Sequence, residues 1–258
     1  MSYVDTLNAT QKSNIDTIIA ETKKRGITNP ISIAGMLAIV SKESNFKPQD
    51  ENLNYSASRL QEVFGMSSTK ANQIANNPEA IGNAVYGGKY GNASNEGYKY
   101  RGRGFNGLTF KSNYEKYEKI IDENLVSNPS KVNQVDVASK ILIEYNKNRF
   151  ADLKKIGKLQ FYGNAEDIND LKDTKNSVMA FYHVTAGNGN SVEKIKNLAK
   201  NDRLGGMTKA LSRVDDLLAY VKKSSGTSGG TKQGISILGI ILGLAISSGA
   251  FFLINKNK

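Results

Sequence analysis

The sequence predicts a mainly α-helical domain followed by a single membrane-spanning helix near its C-terminus. Three observations carry this. Thr10 to Arg25 places Ile15, Ile18 and Ile19 on one side and lysines and glutamates elsewhere. Pro30 opens the strongly apolar stretch ISIAGMLAIVSKES. Gly234 to Ile254 carries no charge at all.

Taken in order, Thr10 to Arg25 reads as an amphipathic surface helix. In the next helix Ile31, Ile33, Ala34, Met36, Leu37, Ile39 and Val40 cover most of the circumference. Such a helix belongs at the centre of a core. Val135 to Phe150, Ser177 to Val184, Val192 to Ala199 and Met207 to Val221 are further helical candidates. Between Ile81 and Asn113 the chain is dense in Gly, Asn and Tyr, which is loop composition, and long loops often carry function. No internal repeat is visible.

The domain is expected to span residues 1–223. Ser224 to Gln233 is rich in Gly and Ser and reads as a flexible linker with a reach of roughly 16–19 Å. As a helix, Gly234 to Ile254 is ~31 Å long, about one hydrocarbon core. Gly239, Gly243 and Ser247 within it form either a small-residue packing face or a chance pattern in a Gly-rich span. Residues 255–258 are a short polar tail. The N-terminus has no basic patch followed by an apolar core and does not read as a signal peptide.

Composition excludes several chemistries. There is no cysteine, so disulfides, cysteine nucleophiles and Cys-ligated metals are excluded. The single histidine, His183, excludes a multi-histidine zinc site and reads as a packed or capping residue. The net charge of +11 points to an anionic partner: nucleic acid, a lipid surface or a cell-wall polymer. A generally basic surface without such a partner fits as well. Arg101-Gly102-Arg103-Gly104 is one short RGG-like fragment, too little for RNA binding, and no nucleic-acid partner is expected.

Two carboxylates stand out. Glu43 closes the apolar helix, and Glu51 follows on an adjoining loop after Pro48. Glycoside hydrolysis needs one protonated carboxyl for the leaving oxygen and one ionised carboxylate for water. Burial would raise the pKa of Glu43, and hydration would keep that of Glu51 low. Alone, the pair reads rather as solvated surface charge.

The stretches KESNFKPQDENLNYSASRLQEVF, PEAIGNAVYGGKYGN and GYKYRGRGFNGLTFKSNYEKY occur in that order. Together they resemble glycoside hydrolase family 19, and within it the phage and bacterial wall-lytic branch related to plant chitinases. The resemblance covers roughly residues 27–190. It implies a lysozyme-like, two-lobed helical domain with a catalytic cleft and no cofactor or metal. Residue by residue, it implies Glu43 as general acid, Glu51 as general base and Thr109 as a holder of the attacking water. It implies Asn113, Tyr114, Tyr55 and Arg103 as substrate-binding residues, Arg103 being equally a structural ion pair. Inversion by single displacement follows, with the carboxyl groups ~6.5–9.5 Å apart. Gly187-Asn188-Gly189 reads either as a cleft loop or as a helix-ending turn.

The chain departs from the pattern twice. Lys42 stands where the family usually has His before the acid, and a cation there opposes acid function unless it points away. Gly107 stands where the family usually has Gln.

The expected function is therefore a membrane-anchored peptidoglycan hydrolase cutting the β-1,4 glycan backbone. Its partners would be glycan strands, a bilayer and virion capsid or membrane proteins. Lys222, Lys223 and Lys232 precede the span, and Lys256 and Lys258 follow it. A domain left in the cytoplasm has no wall to cut. A bacteriophage with an internal membrane resolves this, with the domain facing the capsid and acting during entry. The alternatives are a chitinase, a structural virion protein that only binds glycan, a tethered lytic enzyme exported by another route, or a bacterial wall enzyme.

Overall fold

The computed structural model describes residues 1–201 and 206–226. Among these are ten α-helices and no β-strand. They are α1 (Ala9–Lys24), α2 (Pro30–Glu43), α3 (Ala57–Phe64), α4 (Ser68–Ile74), α5 (Pro78–Tyr86), α6 (Lys111–Ile121), α7 (Val135–Lys155), α8 (Thr174–Ala186), α9 (Val192–Asn201) and α10 (Gly206–Gly226).

Local chemistry sets most helix starts. Asn8 and Gln11 form a reciprocal capping box at α1. Asn29 accepts from the Ile31 amide, and Pro30 then occupies the first helical position of α2. Ser56, Ser67, Asn77 and Asp173 each accept from a backbone amide in the first turn of the helix that follows.

Helix α2 is buried without a break from Ser32 to Ser41, as its apolar circumference demands. It packs against α8 and α10, while α1 packs against α7. The contact with α8 is close. A methyl group on Gly35 would meet Ser177 Oγ at 2.0 Å and backbone at 3.0 Å. Ser177 Oγ in turn donates to the Ile31 carbonyl at 2.9 Å. Gly35→Ala is therefore expected to destabilise the protein by about 1–3 kcal/mol through overpacking. Urea unfolding checks this, and an unchanged midpoint would show that the two helices can separate freely.

Three apolar clusters build the molecule. The main one joins α1, α2, α7, α8 and α10 and includes Phe46 and Phe105. A second gathers Tyr100, Leu108, Tyr114, Tyr117 and Ile141. The third, from Leu53 and α3 to α5, contains Leu60, Ile81, Val85 and Tyr86, with Tyr98 and Phe110 against it. Residues 100–110 thus send side chains into all three.

Several sequence expectations change. The loop is shorter than composition indicates. Residues 81–86 belong to α5 and residues 111–113 to α6. Helix α7 continues to Lys155. Helix α10 runs through Ser224 and Ser225 to Gly226, so the expected linker does not begin at Ser224. Ser225 Oγ donates to the Val221 carbonyl at 2.8 Å, which continues the helical pattern. The apolar run 234–254 and the tail 255–258 lie outside the described residues. Among the described residues no helix is long and apolar enough to cross a membrane.

Candidate active site

Glu43 is the last residue of α2. Beyond it the chain reverses through Asn45 and Phe46, both at positive φ (48° and 59°). Consecutive left-handed residues other than glycine are costly, most of all a bulky one. The fold holds them in place. Gln11 Nε2 donates to the Asn45 carbonyl at 3.0 Å, and Asn14 Nδ2 donates to the Phe46 carbonyl at 2.8 Å. The Phe46 side chain is fully buried in the main core. From the other side, Arg213 of α10 donates to the Ser41 carbonyl at 3.0 Å and to Ser41 Oγ at 3.1 Å. The same guanidinium lies over the Tyr3 ring, and the Tyr3 amide donates to the Asp216 carboxylate.

Lys42 does not point away. Its Nζ lies 2.6 Å from Glu43 Oε1 and 5.2 Å from the centre of the Tyr182 ring. The pair holds Glu43 Oε1 against a cation.

Residues 47–53 lead from the main core to the third cluster, where Leu53 is buried. Along this path Glu51 is held on both sides by one residue. Its amide donates to the Gly102 carbonyl at 2.8 Å, and its Oε2 accepts from the Gly102 amide at 3.3 Å. Its Oε1 accepts from the Tyr86 hydroxyl at 2.7 Å. Burial pushes the Glu51 carboxyl above the usual carboxylate range. The bonds from Tyr86 and Gly102 and the charge of Arg101 only partly offset this. The hydrated, low-pKa setting expected for Glu51 is thus corrected: desolvation dominates there. Burial and the Glu51 charge together raise the Tyr86 and Tyr55 phenols.

Thr109 is brought to this carboxylate. A methyl group on Gly102 would meet Glu51 Oε2 at 3.3 Å and Thr109 Oγ1 at 3.4 Å. The two oxygens therefore flank one glycine. Thr109 Oγ1 donates to the Gly107 carbonyl at 2.9 Å, so its lone pairs are left as acceptors. Arg103 and Leu108 exchange both backbone hydrogen bonds across this turn, and Gly107 takes a φ of +63° within it. A glutamine at Gly107 would need that conformation, which side-chain-bearing residues seldom adopt.

Other expected substrate contacts are placed differently. Tyr114 is fully buried. Its hydroxyl donates to the Arg101 carbonyl and accepts from Arg103 Nη1, each at 2.9 Å. It supports the site from behind and presents no face to a ligand. Arg103 is 6% exposed, with Nε 2.9 Å from Asp50 Oδ1 and Nη1 also donating to the Lys99 carbonyl. It is a structural ion pair. Asn113 is exposed, and its Nδ2 donates to the Thr109 carbonyl at 2.8 Å, tethering the threonine's backbone.

Sequence reading passed over four residues that build the site. Tyr86 bonds the Glu51 carboxylate directly. Asp50 gathers Arg101, Arg103 and Asn133, the last donating at 2.7 Å. Asn92 accepts from the Lys111 amide that opens α6 and donates to the Tyr86 carbonyl at the end of α5. Tyr86 and Asn92 fall within the quoted PEAIGNAVYGGKYGN motif, which was the available signal. Asn133 lies outside every motif.

Gly187, at a φ of 103°, ends α8, so residues 187–189 form its terminating turn. His183 is fully buried. Its Nε2 lies 3.0 Å from the Asn190 carbonyl, which can only accept, so Nε2 carries the proton and Nδ1 accepts from the Tyr162 hydroxyl at 2.6 Å. Burial lowers its pKa. Among the described residues no cluster of His, Asp and Glu could hold a metal ion.

No family model matches the chain. A protein of Haemophilus influenzae described as a glycosyl hydrolase family 19 domain-containing protein is 35% identical over 115 residues. The match covers 42% of this chain and 58% of the relative. The chain thus spans less than two thirds of that relative, and the likeness is a distant one to a glycoside hydrolase domain.

Proposed function

We propose that this chain is a glycoside hydrolase of the family 19 type that cuts the β-1,4 glycan backbone of bacterial peptidoglycan. Glu51 serves as general base and Glu43 as general acid. One observation carries the reading: the desolvated Glu51 carboxylate and the Thr109 hydroxyl flank Gly102. The distant likeness to a family 19 domain supports the same chemistry.

The mechanism follows from the donors and acceptors. The Thr109 proton is spent on Gly107. A water between the two oxygens therefore donates one proton to Thr109 Oγ1 and the other to Glu51 Oε2. Its lone pair is then directed at the anomeric carbon. Glu51, whose basicity burial increases, takes the proton as the bond forms. Glu43, released from Lys42, protonates the leaving oxygen. A two-lobed, lysozyme-like cleft is the architecture this reading assigns to the three apolar clusters. Single displacement gives an inverted product.

The proposal extends to place. The uncharged run 234–254 is apolar enough to hold the enzyme at a bilayer, and a virion-borne lytic role during entry fits such a tether. Purified peptidoglycan digested with the full chain in detergent tests the reading. Mass spectrometry of the reducing ends is expected to show glycan cleavage, and NMR of fresh product the inverted anomer. A retained anomer would overturn the mechanism. Cleavage of chitin without cleavage of wall would transfer the enzyme to chitin.

A further inference from the structure

Tyr90 is the exposed aromatic side chain that connects to the candidate site. It is 71% exposed, although most large apolar side chains of the described residues are covered. A mobile surface tyrosine needs no support, but this one is braced. Its backbone is left-handed (φ 45°), a conformation bulky residues rarely adopt. The Ser112 amide donates to its carbonyl at 3.1 Å, and Asn92 N donates to the Lys89 carbonyl at 3.0 Å, closing the turn around it.

The ring is braced too. Its centre lies 4.7 Å from that of Phe110, at 60° to its plane. Phe110 is itself strained (φ 73°) and stands perpendicular to Tyr86 at 5.5 Å. Tyr86 holds Glu51. A continuous row of rings therefore runs from the carboxylate to solvent and ends in an open tyrosine. Backbone strain gathered in one loop, with surrounding bonds to maintain it, marks functional positions.

A rigid, exposed aromatic face suits one chemistry above others here. The ring of a β-linked gluco-configured pyranose keeps its substituents equatorial and presents axial C–H groups on both faces, and these pack on the electron-rich face of an aromatic ring. Pre-fixing the ring removes the entropy cost of ordering it on binding. We propose that Tyr90 is a stacking platform for a pyranose unit of the β-1,4 glycan, away from the scissile bond. The inference rests on the glycoside hydrolase reading and names a sugar contact for that same site.

The test uses the Glu51→Gln chain, whose turnover is expected to be about 10²–10⁴-fold slower, and the β-1,4-linked N-acetylglucosamine hexamer as probe. Tyr90→Asn removes the ring while tolerating left-handed backbone. It is expected to weaken hexamer binding about tenfold in calorimetry. Tyr90→Trp, which keeps a stacking face, is expected to bind at least as tightly as its parent. Equal affinities of the Tyr90→Asn chain and its parent would overturn the platform and leave the hydrolase reading intact. A weakened Tyr90→Trp would overturn it as well, since stacking would not be what is lost. A parent that neither binds hexamer nor, with Glu51 restored, releases reducing ends from wall overturns the hydrolase reading and the platform with it.

Discussion

Replacing Glu51 by glutamine is expected to slow glycan cleavage about 10²–10⁴-fold, the usual contribution of a positioned base. The same substitution should stabilise the fold at neutral pH. Burial raises the Glu51 carboxyl in the folded state, so ionising it costs folded stability. That cost is absent below the unfolded carboxyl pKa and grows as pH rises through the folded one. Thermal unfolding at acidic pH should then give equal midpoints for the two chains. At neutral pH the glutamine chain should melt higher. A base must also be ionised to act, so wild-type cleavage should fall away as pH drops below that raised value. A glutamine chain that cleaves at the wild-type rate would remove Glu51 from the chemistry.

Glu43→Gln is expected to cost a comparable 10²–10⁴-fold through lost proton donation. Its structural cost should be small. The Glu43 side chain is 23% exposed and its ion pair with Lys42 is partly solvated, an arrangement typically contributing about 0–1 kcal/mol. The predicted signature is a folded protein with an unshifted unfolding midpoint and almost no release of reducing ends. Wild-type release by that folded chain would overturn the acid assignment.

Much of the framework was legible because its signals are local. Pro30 announces α2, and its apolar circumference announces central burial. The helices α3 to α6 were not recognised, although Ser56, Ser67 and Asn77 cap the first three. The first three have 8, 7 and 9 residues, too few turns to establish a period, and Gly82 and Asn83 interrupt the apolar pattern of α5. The motifs named Glu51 and Thr109, whose side-chain oxygens the structure sets around Gly102. The environment of Glu51 was not, because its burial is made by Tyr86 and Gly102, which lie 35 and 51 residues away. Tyr114 was misplaced for the same reason. A motif fixes sequence position, while the direction a side chain faces depends on which cluster its helix covers. The Lys42–Glu43 contact, by contrast, was visible as adjacency, and only its rotamers awaited the structure.

The clasp between Tyr3, Arg213 and Ser41 also defines a mechanical path. A load applied beyond Gly226 enters the fold along α10, whose Met207, Ala210, Val214, Leu217 and Val221 are buried. Those side chains would have to slide together, so the helix resists in shear rather than peeling turn by turn. Tension passes from it into α2 along their shared packing, to which the Arg213 guanidinium adds a bond at Ser41, close to Glu43. Glu51 takes its support from α5 and the 100–110 segment, off that line. Pulling on the chain from its C-terminal side should thus disturb Glu43 before Glu51.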